Sequence, residues 1–172
     1  MRVLIIFIIL LCSACSLPTK PNTNKHDFGV LNSAATKKTD MTITTPDWLY
    51  NNCIHYRLLY SSPTELRCYN LDEWIAPPSE LLKQYLSYTL NNNQRLVIEL
   101  NEFEQQFDSK NTAKVIVSVM VAVYDKKTEQ LLNSKRFKFS QTTEFNAKGA
   151  VLGFSRIIQT MNTEIQAWLN NI

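Results

Sequence analysis

Between Ala113 and Tyr124 the chain places Val115, Val117, Val119, Val121 and Val123 on one parity and Ile116, Met120, Ala122 and Tyr124 on the other. Side chains alternate along a strand with a period of two, so this segment offers apolar groups to both faces of a sheet. Such a strand is central, and other elements must cover it. The closing segment supplies one cover. From Ala147 to Leu169, residues Val151, Phe154, Ile157, Ile158, Met161, Ile165, Trp168 and Leu169 fall on one stripe of a long helix. A methionine and aromatic stripe of this kind packs a core; it does not hold a cofactor. A second helix is predicted over Ser79–Leu90, with Ser79 as its cap and Glu80 in its first turn. Leu81, Leu82, Tyr85, Leu86 and Thr89 recur at helical spacing, and Asn91-Asn92-Asn93 ends the segment.

Further strands follow from alternation. Arg95 to Phe103 sets Leu96, Ile98 and Leu100 against Val97, Glu99 and Asn101, and Leu131 to Ser140 sets Phe137 and Phe139 against Arg136 and Lys138. The second of these is read as nearer a sheet edge, joined to the valine strand by a hairpin through Asp125–Glu129. Ile54–Tyr60 and Glu65–Asn70 form another hairpin around Ser61-Ser62-Pro63-Thr64, and Thr42–Thr44 is a short strand ended by Pro46. With 172 residues, 45% apolar and 19% charged, these elements predict one α/β domain over residues 41–172. Its sheet is mixed or antiparallel and is flanked by helices.

The first residues read as an address. Met1-Arg2 is a positive start, Val3 to Leu11 is an unbroken apolar run, and Ser13-Ala14-Cys15 closes it. The run is far shorter than the roughly 20 apolar residues that span a bilayer. Small residues before Cys15 resemble a bacterial lipobox, although Cys12 stands three places upstream where leucine is usual. Residues 1–14 are therefore read as a lipoprotein signal peptide, and Cys15 as the lipidated N-terminus of the mature chain; the alternative is an ordinary secretory signal cleaved nearby. A covalent lipid on Cys15 is the one prosthetic group expected. Multiple acyl chains would hold the chain at a membrane, since a single chain is marginal. Ser16, in place of aspartate, resembles an outer-membrane sorting signal. Residues 15–40 are rich in Pro, Asn, Thr and Lys and read as a flexible tether, interrupted by the apolar Phe28-Gly29-Val30-Leu31. Stretched, such a tether reaches up to roughly 80 Å.

Composition excludes several classes of chemistry. The whole chain has 3 glycines and 2 histidines, His26 and His55, which leaves no glycine-rich phosphate cradle and little material for a metal cluster or proton relay. A formal charge of +3 is too weak to point to nucleic acid. No GxSxG elbow or HExxH pair occurs, and no CxxC follows the leader. Cys53 and Cys68 remain as an even pair in an oxidising compartment. Either they form a disulfide or they are two buried thiols. The predicted hairpin sets Arg57 opposite Cys68 and leaves Cys53 roughly 13 Å further along, so a bulge or an earlier turn is needed to close the bond.

Several residue groups together carry a family likeness: Trp48-Leu49, Ile54-His55-Tyr56-Arg57, Leu66-Arg67-Cys68-Tyr69, and Trp74-Ile75-Ala76-Pro77-Pro78 followed by Leu81-Leu82. In this order they resemble the ABC-type transport auxiliary lipoproteins, the group of the paraquat-inducible protein C type. Leu96, Glu99-Leu100, Glu102-Phe103, Phe107-Asp108 and Ala167-Trp168-Leu169 are similar to that family's second half, and Phe28-Gly29-Val30-Leu31 to its aromatic-x-x-leucine element. Cys53 and Cys68 are departures, as is the lipobox. The resemblance implies a three-layer, anticodon-binding-like α/β domain and no enzymatic activity. It also implies a periplasmic lipoprotein, anchored in the inner leaflet of the outer membrane. Such a protein accompanies an MCE-type periplasmic protein and an ABC permease and ATPase in lipid traffic between the membranes, and the sequence leaves a homo-oligomer open. The competing reading is a structural envelope lipoprotein that binds peptidoglycan or outer-membrane assemblies.

Tyr56, Arg57, Arg67, Tyr69 and Trp74 are the residue types enriched at interface hot spots and form the candidate partner-binding set. Their alternative role is packing of the hairpin onto the helix near Ser79, with Arg57 bridging Asp72 or Glu73. Glu99, Glu102 and Glu104 lack a neighbouring nucleophile or histidine in sequence and read as a solvated strand end, not an acid/base pair.

Overall fold

The computed structural model describes residues 22–30 and 40–172. Cys12, Cys15 and the leader lie outside the described residues. The chain forms β1 (Asn24–His26), β2 (Met41–Thr44), a 3-10 turn (Asp47–Leu49), β3 (Cys53–Leu58), β4 (Ser62–Trp74) and α1 (Pro78–Tyr85), then β5 (Gln94–Ser109), β6 (Thr112–Asp125), β7 (Leu131–Thr143) and α2 (Ala147–Leu169). The strands make one 7-stranded mixed sheet in the order β1-β4-β3-β5-β6-β7. The 16-residue β5 is long enough to take two parallel partners, β2 against Leu96–Glu99 and β3 against Gln105–Phe107. This is the expected α/β domain with a central mixed sheet.

The odd valines of β6 lie under both helices. Val115 to Val123 pair with Gln105, Phe103, Leu100, Ile98 and Leu96 of β5, and join Leu81 and Leu82 of α1 and Phe154 to Ile165 of α2 in one buried cluster. Gly153 makes the close approach of α2 possible, since a Cβ there would lie 2.7 Å from Val115 Cγ2 and closer still to Thr143. Asn146 caps α2 by accepting from the Gly149 N–H at 2.7 Å. The other face of β6 is covered at Ile116 and Ser118, while Met120, Ala122 and Tyr124 are half-buried. Among the described residues, charged and polar side chains stand on that far face, and no helix does.

α1 is shorter than its periodicity suggests. Pro78 occupies the first helical position, Ser79 is buried without capping, and the helix stops at Tyr85. From Leu86 the backbone is extended, because α2 competes for it: Asn162 Oδ1 accepts from the Ser87 N–H, and Gln166 Oε1 from the Thr89 N–H.

The tether reading fails for residues 24–28. Asn24–His26 pairs in parallel with Asp72–Trp74, and Phe28 is 5% exposed within the core. Phe28 meets Trp74 at 5.2 Å between ring centroids and Tyr85 at 5.3 Å. Ser155 Oγ donates to the Phe28 carbonyl at 2.7 Å. The φ of 95° at Gly29 turns the chain away from this anchorage, a conformation glycine adopts without strain.

Candidate functional site

The hairpin of β3 and β4 carries the candidate residues, in a register different from the predicted one. Leu58 faces Ser62, Tyr56 faces Arg67, His55 faces Cys68 and Cys53 faces Glu73, with irregularities on either side of the central pairs. The extra residues lie in β4. They bring Cys68 to a Cα–Cα separation of 5.6 Å from Cys53, and the two form a disulfide. A bulge thus closes a gap that a regular hairpin would leave open.

The five candidate docking residues do not form one surface. Trp74 is fully buried and packs edge-on to Phe103 at 5.9 Å and to Phe154 at 5.6 Å, with Phe103 and Phe154 stacked at 4.0 Å. Its role is core packing, and it is withdrawn from the docking set. Tyr69 is equally structural. Its hydroxyl donates to Gln105 Oε1 at 2.7 Å, and the buried Gln105 donates onward to Thr143 Oγ1 at 2.8 Å and the Glu144 carbonyl at 2.7 Å. Burial pushes the Tyr69 phenol well above its ordinary range, with Tyr56 and Asp72 adding to the rise. Tyr56 is half-buried, 4.7 Å from Tyr69 and 5.9 Å from Phe107 between centroids.

Arg57 projects to the polar face. It bridges Glu104, not Asp72 or Glu73: Nε donates to Oε1 and a terminal nitrogen to Oε2, both at 3.0 Å, while its other nitrogen reaches the Pro63 carbonyl at 3.2 Å. Glu104 is buried, which corrects its reading as a solvated strand end. A bidentate arginine is the partner a buried carboxylate requires. The hydrogen bonds to Glu104 raise the Arg57 guanidinium further above its ordinary value. Glu102 pairs with Lys138 at 2.9 Å and Asp108 with Lys114 at 3.0 Å, and Arg95 pairs with Glu129. The polar face is therefore largely neutralised by its own cross-strand pairs.

Of the five, Arg67 and the half-buried Tyr69 line an accessible cleft. The Arg67 guanidinium meets Glu65 at 2.5 Å on the same strand. The cleft holds about 500 Å³ and is lined by Thr23, Asn51, Asn52, Cys53, His55, Leu66, Arg67, Cys68, Tyr69, Asn70 and Glu73. His55 is buried on its floor under the Trp48 ring, 6.0 Å away between centroids. Burial, chiefly, holds His55 below the ordinary imidazole value, with Glu104 opposing the shift and Arg57 assisting it. A second groove of about 350 Å³ lies between β1 and α2, with Phe28 and Ile75 against Val151 and Leu152. His26 and Lys25 hold β1 in place through Asp72 at 2.8 Å and Glu73 at 2.6 Å. Neither β1 nor Glu104 was foreseen in these roles. The apolar island at Phe28 was the available signal for β1, and nothing in the sequence marked Glu104 as the partner of Arg57.

Among the described residues there is no group of three or more His, Cys, Asp or Glu placed to hold a metal ion, and no helix long and apolar enough to cross a membrane. No family model matches the chain. No curated protein matches it in sequence. In fold it is similar to the crystal structure of protein XCC0632 from Xanthomonas campestris, a DUF330 protein, with a TM-score of 0.66 at 13% identity over 86% of this chain and 91% of that one. It is also similar to an uncharacterised protein of known structure, with a TM-score of 0.58 at 15% identity over 84% and 99% of the two chains. Lipoprotein GNA1162 from Neisseria meningitidis overlaps less, with a TM-score of 0.28 at 15% identity over 42% of this chain and 50% of that one. The shared feature is the α/β fold across nearly the whole of both chains.

Proposed function

We propose that the chain is a lipid-anchored envelope protein that serves as a docking component of an ABC/MCE-type lipid transport system. Acyl chains on Cys15 hold it at the periplasmic face of the outer membrane. The observation that carries this reading is the ordered set of residues from Trp48 to Pro78 that resembles the transport auxiliary lipoproteins. In the fold these residues serve one continuous unit: Trp48 covers His55, Trp74 joins the ring cluster, and Pro77-Pro78 begins α1. The match in fold to a DUF330 protein over 86% of the chain is consistent with it. The domain's task in this reading is binding, with an MCE-type protein and the permease and ATPase as partners, and no catalytic step is assigned to it.

Two measurements test the reading. Cys15→Ala should abolish acylation and release the protein into the soluble periplasmic fraction; unchanged membrane retention would overturn the anchor. Crosslinking in the periplasm should capture an MCE-type protein. Recovery of peptidoglycan alone would replace transport with a structural envelope role.

A further inference from the structure

The cleft beside the disulfide is held close to the proposed anchor by the length of the chain. Seven residues, and so eight Cα–Cα steps, lie between Cys15 and Thr23, which lines the cleft and donates to Glu73 Oε1 at 2.9 Å. Fully extended, that stretch covers about 28 Å at most. A tether running to residue 40 would have let the domain roam, whereas a strand beginning at Asn24 keeps this corner of the sheet near the lipid.

Exposed large apolar side chains stand next to this cleft's residues in the chain. Trp48 is 46% exposed, Tyr50 57% and Leu71 56%. Trp48 packs against the cleft residue His55, while Tyr50 and Leu71 are the sequence neighbours of the lining residues Asn51 and Asn70. Tryptophan and tyrosine beside apolar groups settle at the level of lipid headgroups, where one end of the ring is apolar and the other is wet. The charges nearby are paired internally, Arg67 with Glu65, Lys25 with Glu73 and His26 with Asp72. A contact made here draws on ring burial more than on charge.

We infer that this corner, with Trp48, Tyr50 and Leu71 as its contacts, seats against the bilayer surface, so that the domain stands with the β1–β4–β3 side of its sheet toward the membrane. The inference rests on acylation at Cys15, and the partner is the bilayer itself. Seating in this orientation leaves β7 and the far end of the sheet for protein partners.

The test uses natively acylated protein reconstituted in vesicles of phosphatidylethanolamine and phosphatidylglycerol, with and without brominated acyl chains. Trp48→Phe isolates the emission of Trp48 from that of Trp74 and Trp168. Flotation with the vesicles, together with a blue-shifted Trp48 component that loses emission with brominated lipid and is unmoved by raised salt, is the expected result. Flotation with an unshifted and unquenched Trp48 component overturns the inference and leaves the anchor standing. Quenching that disappears in raised salt while flotation persists also overturns it, since the contact would then be electrostatic. Failure to float overturns the anchor and the inference together.

Discussion

The two halves of the sheet are built on different terms. β5, β6 and β7 pair over long, nearly regular ladders with α2 laid across them, whereas β1, β3 and β4 form a short, irregular ribbon held by specific links. The first half is stabilised by apolar area distributed over many residues. The second depends on the Cys53–Cys68 bond, the Arg57–Glu104 pair and the rings of Trp74 and Phe28. A ladder tolerates the loss of one member, while a ribbon of specific links does not. The less regular half is also the one that carries the N-terminal strand and the cleft.

Substitutions can separate the two halves. Trp74→Ala removes the ring through which the ribbon meets Phe103 and Phe154, and should cost about 3–5 kcal/mol in urea unfolding. A loss below about 1 kcal/mol would mean that the halves are held together elsewhere. Cys53→Ser with Cys68→Ser opens a loop with a sequence separation of 15 and should cost about 3 kcal/mol. Hydrogen exchange should then rise in β1, β3 and β4 before it rises in β5 and β6. Uniform loss of protection would show that the sheet opens as one unit.

Gly153→Ala probes the regular half. The added methyl meets Val115 and Thr143, and forcing α2 outward should cost about 1–3 kcal/mol while leaving the cleft residues unchanged in their spectra. The smallest effect belongs to His55. Because its folded-state value lies below the ordinary 6.5, the unfolded chain takes up more protons as pH falls through that value, so stability declines from about pH 6.5 downward. His55→Gln should flatten that decline in thermal melts. An unchanged slope would place the acid sensitivity on other groups.

The same division governed what the sequence could reveal. α2 begins at Ala147 and ends at Leu169 as its apolar stripe predicts, and the alternating valines locate β6. Both signals are local and repeat over many residues. The β4 irregularities repeat nothing, so a regular register was predicted and Cys68 was set too far from Cys53. Arg57 and Glu104 are 47 residues apart, and no periodicity connects them. Phe28 stood out as an apolar residue in a polar stretch, but only its contact with Trp74 shows that the stretch belongs to the sheet. Of the candidate site, the disulfide partners and the half-buried Arg67 were legible, whereas the burial of Trp74 and the partial burial of Tyr69 depended on how the ribbon closes over the core.

β7 ends the sheet, so a 13-residue strand offers one row of backbone groups to whatever approaches. Two copies meeting antiparallel along its full length would set Arg136 against Lys138 twice, with Lys135 of each close by. Under the proposed lipid anchor, copies confined to a surface would collide more often than copies in free solution. A repulsive margin on the open edge therefore disfavours edge-to-edge pairing of two copies through β7.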